Sequence, residues 1–159
     1  VTYGGKTATF NVTVNKKAEE KLVIKSTSKY EKADSYLKNV AQESTASAII
    51  SQFDNVNVVI YDANGNQVSA NAICGTGCTV NLISGDKIVD SLEIIVLGDV
   101  DGNGVVDSTD YMRVKSMFLG AYNLAGEYFV AGDVDASGTI DTTDYLRLKS
   151  AFMGIYNLD

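Results

Sequence analysis

The chain has 159 residues, 45% hydrophobic and 21% charged, a globular composition with room for one to three small modules. Its 20 acidic and 13 basic residues give a net charge of −7, which repels phosphate backbones and argues against nucleic acid as a partner. Without histidine, tryptophan or proline, and with two cysteines, it has no Ser-His-Asp or Cys-His catalysis, no His-ligated or structural zinc site, no indole platform for sugars and no stiff Pro-rich linker.

In chain order, residues 6–14 alternate, with Ala8, Phe10, Val12 and Val14 on one face and threonines and Asn11 on the other. This pattern predicts a half-buried strand, with Gly4-Gly5 as a two-residue turn before it. Residues 1–15 therefore read as a terminal hairpin. It resembles the last strands of a truncated bacterial Ig-like domain, or else it is a strand that packs on the next module. No charged-then-apolar leader opens the chain, so any signal peptide is expected outside this sequence. Residues 15–21, NKKAEEK, form a charged connector.

Residues 22–97 read as a small α+β module, mostly antiparallel β with one helix. Leu22-Val23-Ile24 suggests a short strand. In 44–53, Ala46, Ile49, Ile50 and Phe53 share a helical face behind Ser44 or Thr45 as N-cap. Residues 57–61 are strand-like, 62–66 (DANGN) signal a turn, and Gln67 begins a return strand. Residues 79–83 and 91–97 pair across Ser84-Gly85-Asp86. No apolar run approaches the roughly 20 residues of a membrane span; the best, 92–97, contains Glu93. Cys74 and Cys78 enclose Gly75-Thr76-Gly77. A tight disulfide, a pair of half-buried thiols and a redox switch all remain open.

The C-terminal third is an internal repeat. Residues 98–124 and 132–158, offset by 34, are identical at seventeen of twenty-seven positions, which predicts two units related by a pseudo-twofold axis. Each opens with a cation-loop pattern. Asp99, Asp101, Asn103, Val105, Asp107 and Asp110 occupy loop positions 1, 3, 5, 7, 9 and 12. Asp133, Asp135, Ser137, Thr139, Asp141 and Asp144 occupy them in the second copy. Ca²⁺ is a hard cation that takes six to eight oxygens at about 2.3–2.6 Å. Alternate residues of a curled loop supply them, position 7 through its carbonyl, while Gly104 and Gly138 at position 6 allow the bend. Mg²⁺ keeps its waters and rarely uses such cages. Four carboxylates per loop repel one another without metal, and two Ca²⁺ would bring the net charge from −7 to −3. Asp stands at position 12 instead of the usual Glu, so each loop closes more tightly. Neutral Ser137 predicts a weaker second site. Helices follow over 109–119 and 143–153, with Gly120 and Gly154 as C-caps, and a short helical turn is expected near 126–131.

A strand, not a helix, precedes the first loop, so each unit is half an EF-hand. Duplicated, this arrangement over 98–158 resembles a dockerin of the cellulosome or amylosome type. The middle module resembles the small β-rich X-like modules that precede dockerins in secreted proteins. The expected organisation is thus multi-module: the hairpin at 1–15, the α+β module at 22–97, and an all-α dockerin at 98–159 with two calcium loop–helix units.

The resemblance implies a secreted, non-enzymatic docking module. Its two bound Ca²⁺ ions let it join its parent protein to a cohesin of a scaffoldin or cell-surface anchor during polysaccharide degradation. The parent would be a glycoside hydrolase or a scaffoldin. The positions that face the cohesin in this family fall on Ser108, Thr109, Lys115 and Ser116 in the first copy. In the second they fall on Thr142, Thr143, Lys149 and Ser150. Serine at position 18 and Gly120 and Gly154 at position 22 depart from the family's commonest pattern. The hydroxyl pairs could also serve as N-caps. Arg113 and Arg147 are expected to brace the fold, and Tyr111, Tyr145, Phe118 and Phe152 to fill the core. The near-identity of the two faces allows docking in two orientations. The alternative function is a calcium-stabilised structural or carbohydrate-contacting stalk. Because Leu97 runs into Gly98 without a linker, the junction is expected to be rigid.

Overall fold

The computed structural model describes Thr2–Tyr3, Lys6–Thr7 and residues 21–158. Strands β1 (Thr2–Tyr3) and β2 (Lys6–Thr7) pair antiparallel, Thr2 against Thr7 and Tyr3 against Lys6, as a hairpin requires. The strand expected to continue over 8–14 and the connector up to residue 20 lie outside the described residues.

A five-stranded sheet follows, in the order β3-β4-β7-β6-β5. Its members are β3 (Glu31–Ala33), β4 (Tyr36–Lys38), β5 (Val58–Tyr61), β6 (Thr79–Ser84) and β7 (Lys87–Ile94). The β6–β7 hairpin turns at Gly85-Asp86, inside the expected turn, but β7 runs over 87–94 instead of 91–97 because it pairs with β6 from the turn onward, and β5 pairs antiparallel with β6. The first sheet neighbour of β7 on its other side is parallel: Tyr36 faces Glu93 and Leu37 faces Ile94. The sheet is therefore mixed. Inward residues alternate along β5, where Val58 and Ile60 are buried between less buried neighbours, the period-2 signature of a strand covered on one face.

Helix α1 (Ala46–Ile50) covers the sheet, capped by the Thr45 side chain, which accepts from the Ala48 N–H. Ala46, Ile49 and Phe53 enter a core with Leu37, Val40, Ile60, Val80, Leu82, Leu92 and Ile94. The expected apolar face is the buried one, although the helix is shorter than its pattern.

Three expectations need correction. Residues 22–24 are not a strand. Only Ile24 bridges, to Phe53, because the Leu22 and Val23 amides are taken by the side chains of Asp90 and Asn55 (2.7 and 2.6 Å). The return strand at Gln67 shrinks to a single bridge with Tyr61 on the outer edge of β5, the terminal strand of the sheet, closed by Val68 N–H to the Ile60 carbonyl and Asp62 N–H to the Asn66 carbonyl. Cys74 and Cys78 form no disulfide. Both are free and buried, and the loop between them closes through Cys78 N–H to the Gly75 carbonyl (3.2 Å).

Beyond β7 the described chain is helical: α2 (Ser108–Phe118), α3 (Gly126–Gly132) and α4 (Thr142–Phe152). Gly120 and Gly154 follow the helix ends with φ of +72° and +69°, the left-handed C-terminal stop expected of glycine. Val114 and Leu148, one repeat apart, are fully buried with Val100, Leu124, Ala131 and Val134. Ile95 belongs to this second core, and Tyr36 and Leu97 pack against it, so the sheet's last residues anchor the helices directly.

Tyr111 stacks on Phe152 at 5.7 Å and Phe118 meets Tyr145 at 5.4 Å, while Tyr111 and Tyr145 lie 6.4 Å apart. Each of the first two contacts is the other's equivalent in the repeat, which is the expected pseudo-twofold relation of α2 and α4. Phe118 and Phe152 are half-exposed and not core, keeping 43% and 39% of their surface, whereas Tyr145 packs against the second core.

Candidate metal centres

Both loops fold so that carboxylates converge. In the first, oxygens of Asp99, Asp101 and Asp110 lie within 4.8 Å of one another; in the second, those of Asp133, Asp135 and Asp144 do. Oxygens around one Ca²⁺ can be at most about twice 2.3–2.6 Å apart, so each trio can share an ion.

Positions 1 and 12 are drawn together by backbone donors. Asp99 Oδ1 accepts from Gly102 N–H (2.8 Å), and Oδ2 accepts from Gly104 N–H (3.0 Å). Asp110 accepts from the amides of Val100 and Asp107 (both 2.9 Å). Asp133 keeps the position-6 donor, Gly138, but takes its other amide from position 5, Ser137, instead of position 4.

The donor set fits a hard cation. Asp99, Asp110 and Asp144 are fully buried, and Asp144 Oδ1 is buried without a hydrogen-bond partner. A buried carboxylate oxygen left without a donor is costly, and a bound cation satisfies it. Burial pushes all three carboxyls above their ordinary range, Asp110 to about 6. Neighbouring aspartates push in the same direction. These are charges that need a counter-ion to remain ionised comfortably.

Position 9 serves a different purpose. Asp107 and Asp141 are not drawn into the carboxylate trios; they are the N-caps of α2 and α4. Each accepts from the amide two residues on (2.6 Å in both) and closes a capping box with Asp110 or Asp144. This corrects the expected N-capping by the hydroxyl pairs. Ser108, Thr109, Thr142 and Thr143 sit one and two residues further on, exposed at the helix starts.

The remaining expected ligands differ between the loops. Asn103 Oδ1 accepts from Val105 N–H (2.8 Å), which leaves the Val105 carbonyl untouched by that side chain. In the second loop the Ser137 hydroxyl donates to the Thr139 carbonyl (3.0 Å), so two expected ligands satisfy each other. A cation there must break that bond, a physical reason for weaker binding at the second site.

Around the helices, Arg113 donates to the Val100 carbonyl (3.2 Å) and so braces the first loop. Lys115 Nζ lies 5.7 Å from the Tyr111 ring centre, a cation–π contact, while Lys149 is exposed. The Ser150 hydroxyl donates back to Leu146. Beside these residues, Met112, Leu119, Leu146, Met153 and Ile155 are exposed apolar side chains. A shallow groove on α4 runs between Thr142, Leu146, Ser150, Ile155 and Tyr156.

The sequence did not point to the residues that touch the first loop from the sheet side. Thr76 N–H donates to Asp99 Oδ2 (2.8 Å), Glu43 N–H to the Gly104 carbonyl (2.8 Å), and Val106 N–H to Gln42 Oε1 (3.1 Å). The available signal was Gly75 and Gly77 on either side of Thr76, glycines of the kind that permit close backbone approach. Among the described residues, no helix is long and apolar enough to cross a membrane.

Residues 97–153 match the dockerin type I domain family. No curated protein matches the chain.

Proposed function

We propose, from the dockerin type I domain that residues 97–153 form, that this chain is a calcium-dependent docking module. It would join its parent protein to a cohesin of a scaffoldin or of a cell-surface anchor. Dockerin domains bind calcium and bind cohesins, and the two acidic trios could hold the ions. The observation that carries the reading is the paired loop–helix unit. Each trio ties a helix start to a cation site, and the same helix presents an exposed hydroxyl pair and exposed apolar side chains. When bound, calcium would neutralise the trio and fix that helix start. The chain's own residues then do the recognition: Ser108, Thr109, Thr142 and Thr143 offer hydrogen bonds, and Lys115 and Lys149 offer positive charge that steers an acidic partner.

The wider reading places the parent protein outside the cell, at the surface through its cohesin, in polysaccharide degradation. There it would be a glycoside hydrolase or a scaffoldin, with this segment itself not an enzyme. A second reading, a calcium-stabilised stalk, is favoured by the grip of the sheet region on the first loop.

Binding of the chain to a panel of cohesins, with calcium and after its removal, separates the two. Calcium-dependent capture by one member is the expected outcome. Capture that persists without calcium would overturn the calcium dependence, and capture by no member would overturn the docking role and leave the stalk.

A further inference from the structure

The two loops share seven of their twelve residues, including every aspartate, yet their surroundings differ. Asp99 and Gly104 are buried, whereas Asp133 is partly exposed and Gly138 is exposed with open space beside its Cα. The cover over the first loop comes from the sheet region. The 74–78 loop lies against it so closely that a Cβ on Gly75 would stand 2.5 Å from both Asp99 Oδ2 and the Gly102 carbonyl. Thr76 donates to Asp99 through its amide, and its hydroxyl is fixed on both the Val96 carbonyl and the Val96 N–H (3.2 and 3.1 Å). Gln42 and Glu43 hold the far side through Val106 and Gly104.

Loop position 4 records the same contact in the sequence. Its backbone is left-handed in both loops, φ +81° at Gly102 and +55° at Ala136. The second loop tolerates alanine there. In the first, a Cβ would stand 2.8 Å from the Thr76 carbonyl, so only glycine leaves room for the sheet region.

We infer that Thr76, with Gln42 and Glu43, forms an outer wall of the first calcium site. This wall would make that site the tighter and more slowly exchanging of the two, while the second is the one that follows ambient calcium. Outer partners that orient a ligand typically change metal affinity about 10–100-fold when lost. Asp99 is the ligand oriented here, and one of its three amide donors, Thr76, comes from outside its own loop. This inference rests on the calcium-binding reading.

The test is a calcium titration of the whole chain followed by NMR, with the amides of Gly104 and Gly138 reporting the two loops separately. Ser137→Asn removes the difference at position 5, and the first loop is expected to keep the lower midpoint in that background. Gly102→Ala gives the first loop the residue the second already carries, so the loop itself can accept it. Its effect would come through Thr76, and an increase of about tenfold in the Gly104 midpoint is expected with Gly138 unmoved. Gln42→Ala, a change at an exposed side chain, should move the Gly104 midpoint in the same direction by less. Equal midpoints in the Ser137→Asn chain, or a Gly104 midpoint that ignores both wall variants, would overturn the inference alone. Failure of both amides to respond to calcium would overturn the calcium reading with it.

Discussion

Replacing Asp110 by asparagine should flatten, and calcium should invert, the dependence of stability on pH. Asp110 is fully buried, and burial raises its carboxyl from 3.8 to about 6 without metal. A carboxyl raised on folding binds its proton more tightly in the native state. The stability this contributes is fully present below the unfolded value and is lost as pH rises through about 6. Going from about pH 7.5 down to about pH 4.5 in calcium-stripped buffer should therefore stabilise the chain by about 2 kcal/mol from this group alone. Asp99, Asp144 and Glu93 are also raised and add with the same sign. Asp62 is lowered by amide donors from Asn66 and Asn64, so its loss falls below the ordinary carboxylate range and outside this window. With calcium bound, the ion favours the ionised carboxylate, the folded value drops, and stability is lost on acidification instead. Urea unfolding at the two pH values, with and without calcium, reads both signs. Asp110→Asn should lose its share of the calcium-free gain. The reasoning fails if the calcium-free protein is weaker at the lower pH, or if Asp110→Asn keeps the whole gain.

Two further outcomes follow from the packing. Leu148→Ala empties a fully buried position in the second core and should cost ~3 kcal/mol, read as a lower urea midpoint at unchanged slope; a loss below about 1 kcal/mol would contradict the packing described. Because Ile95 and Tyr36 join the helical core and three hydrogen bonds cross between residues 42–76 and residues 99–106, NMR relaxation should give one correlation time for the sheet and helical regions, and independent tumbling would refute the rigid junction.

The cation loops were legible because their information is local. Ligand spacing, the bend at Gly104 and Gly138 and the stop at Gly120 and Gly154 are all written within a dozen residues, twice. The β6–β7 hairpin and the buried face of α1 were legible for the same reason. The β3–β4 hairpin was not, since Leu37 is its only fully buried residue and no alternation marks it. Its reversal depends on left-handed Asp34, a conformation that asparagine and aspartate adopt without announcing it. The capping role of Asp107 and Asp141 was hidden behind their expected role as ligands. The wall built by Thr76 on the first loop joins residues 23 positions apart, and no spacing rule encodes such a contact.

The place where the helices join the sheet also decides how the chain carries a pull. β7 sits in the middle of the sheet, between parallel β4 and antiparallel β6, and its last residues lead straight into the first loop. Tension applied through a docked C-terminal region enters at the end of this central strand and runs along its axis. The ladders on both sides are then loaded side by side instead of being peeled open one bond after another. Rupture requires many bonds to yield together, and survival under load is set by the rate of forced unfolding, not by equilibrium stability. On the docking role proposed above, the path of load to the partner would coincide with the central strand of the sheet.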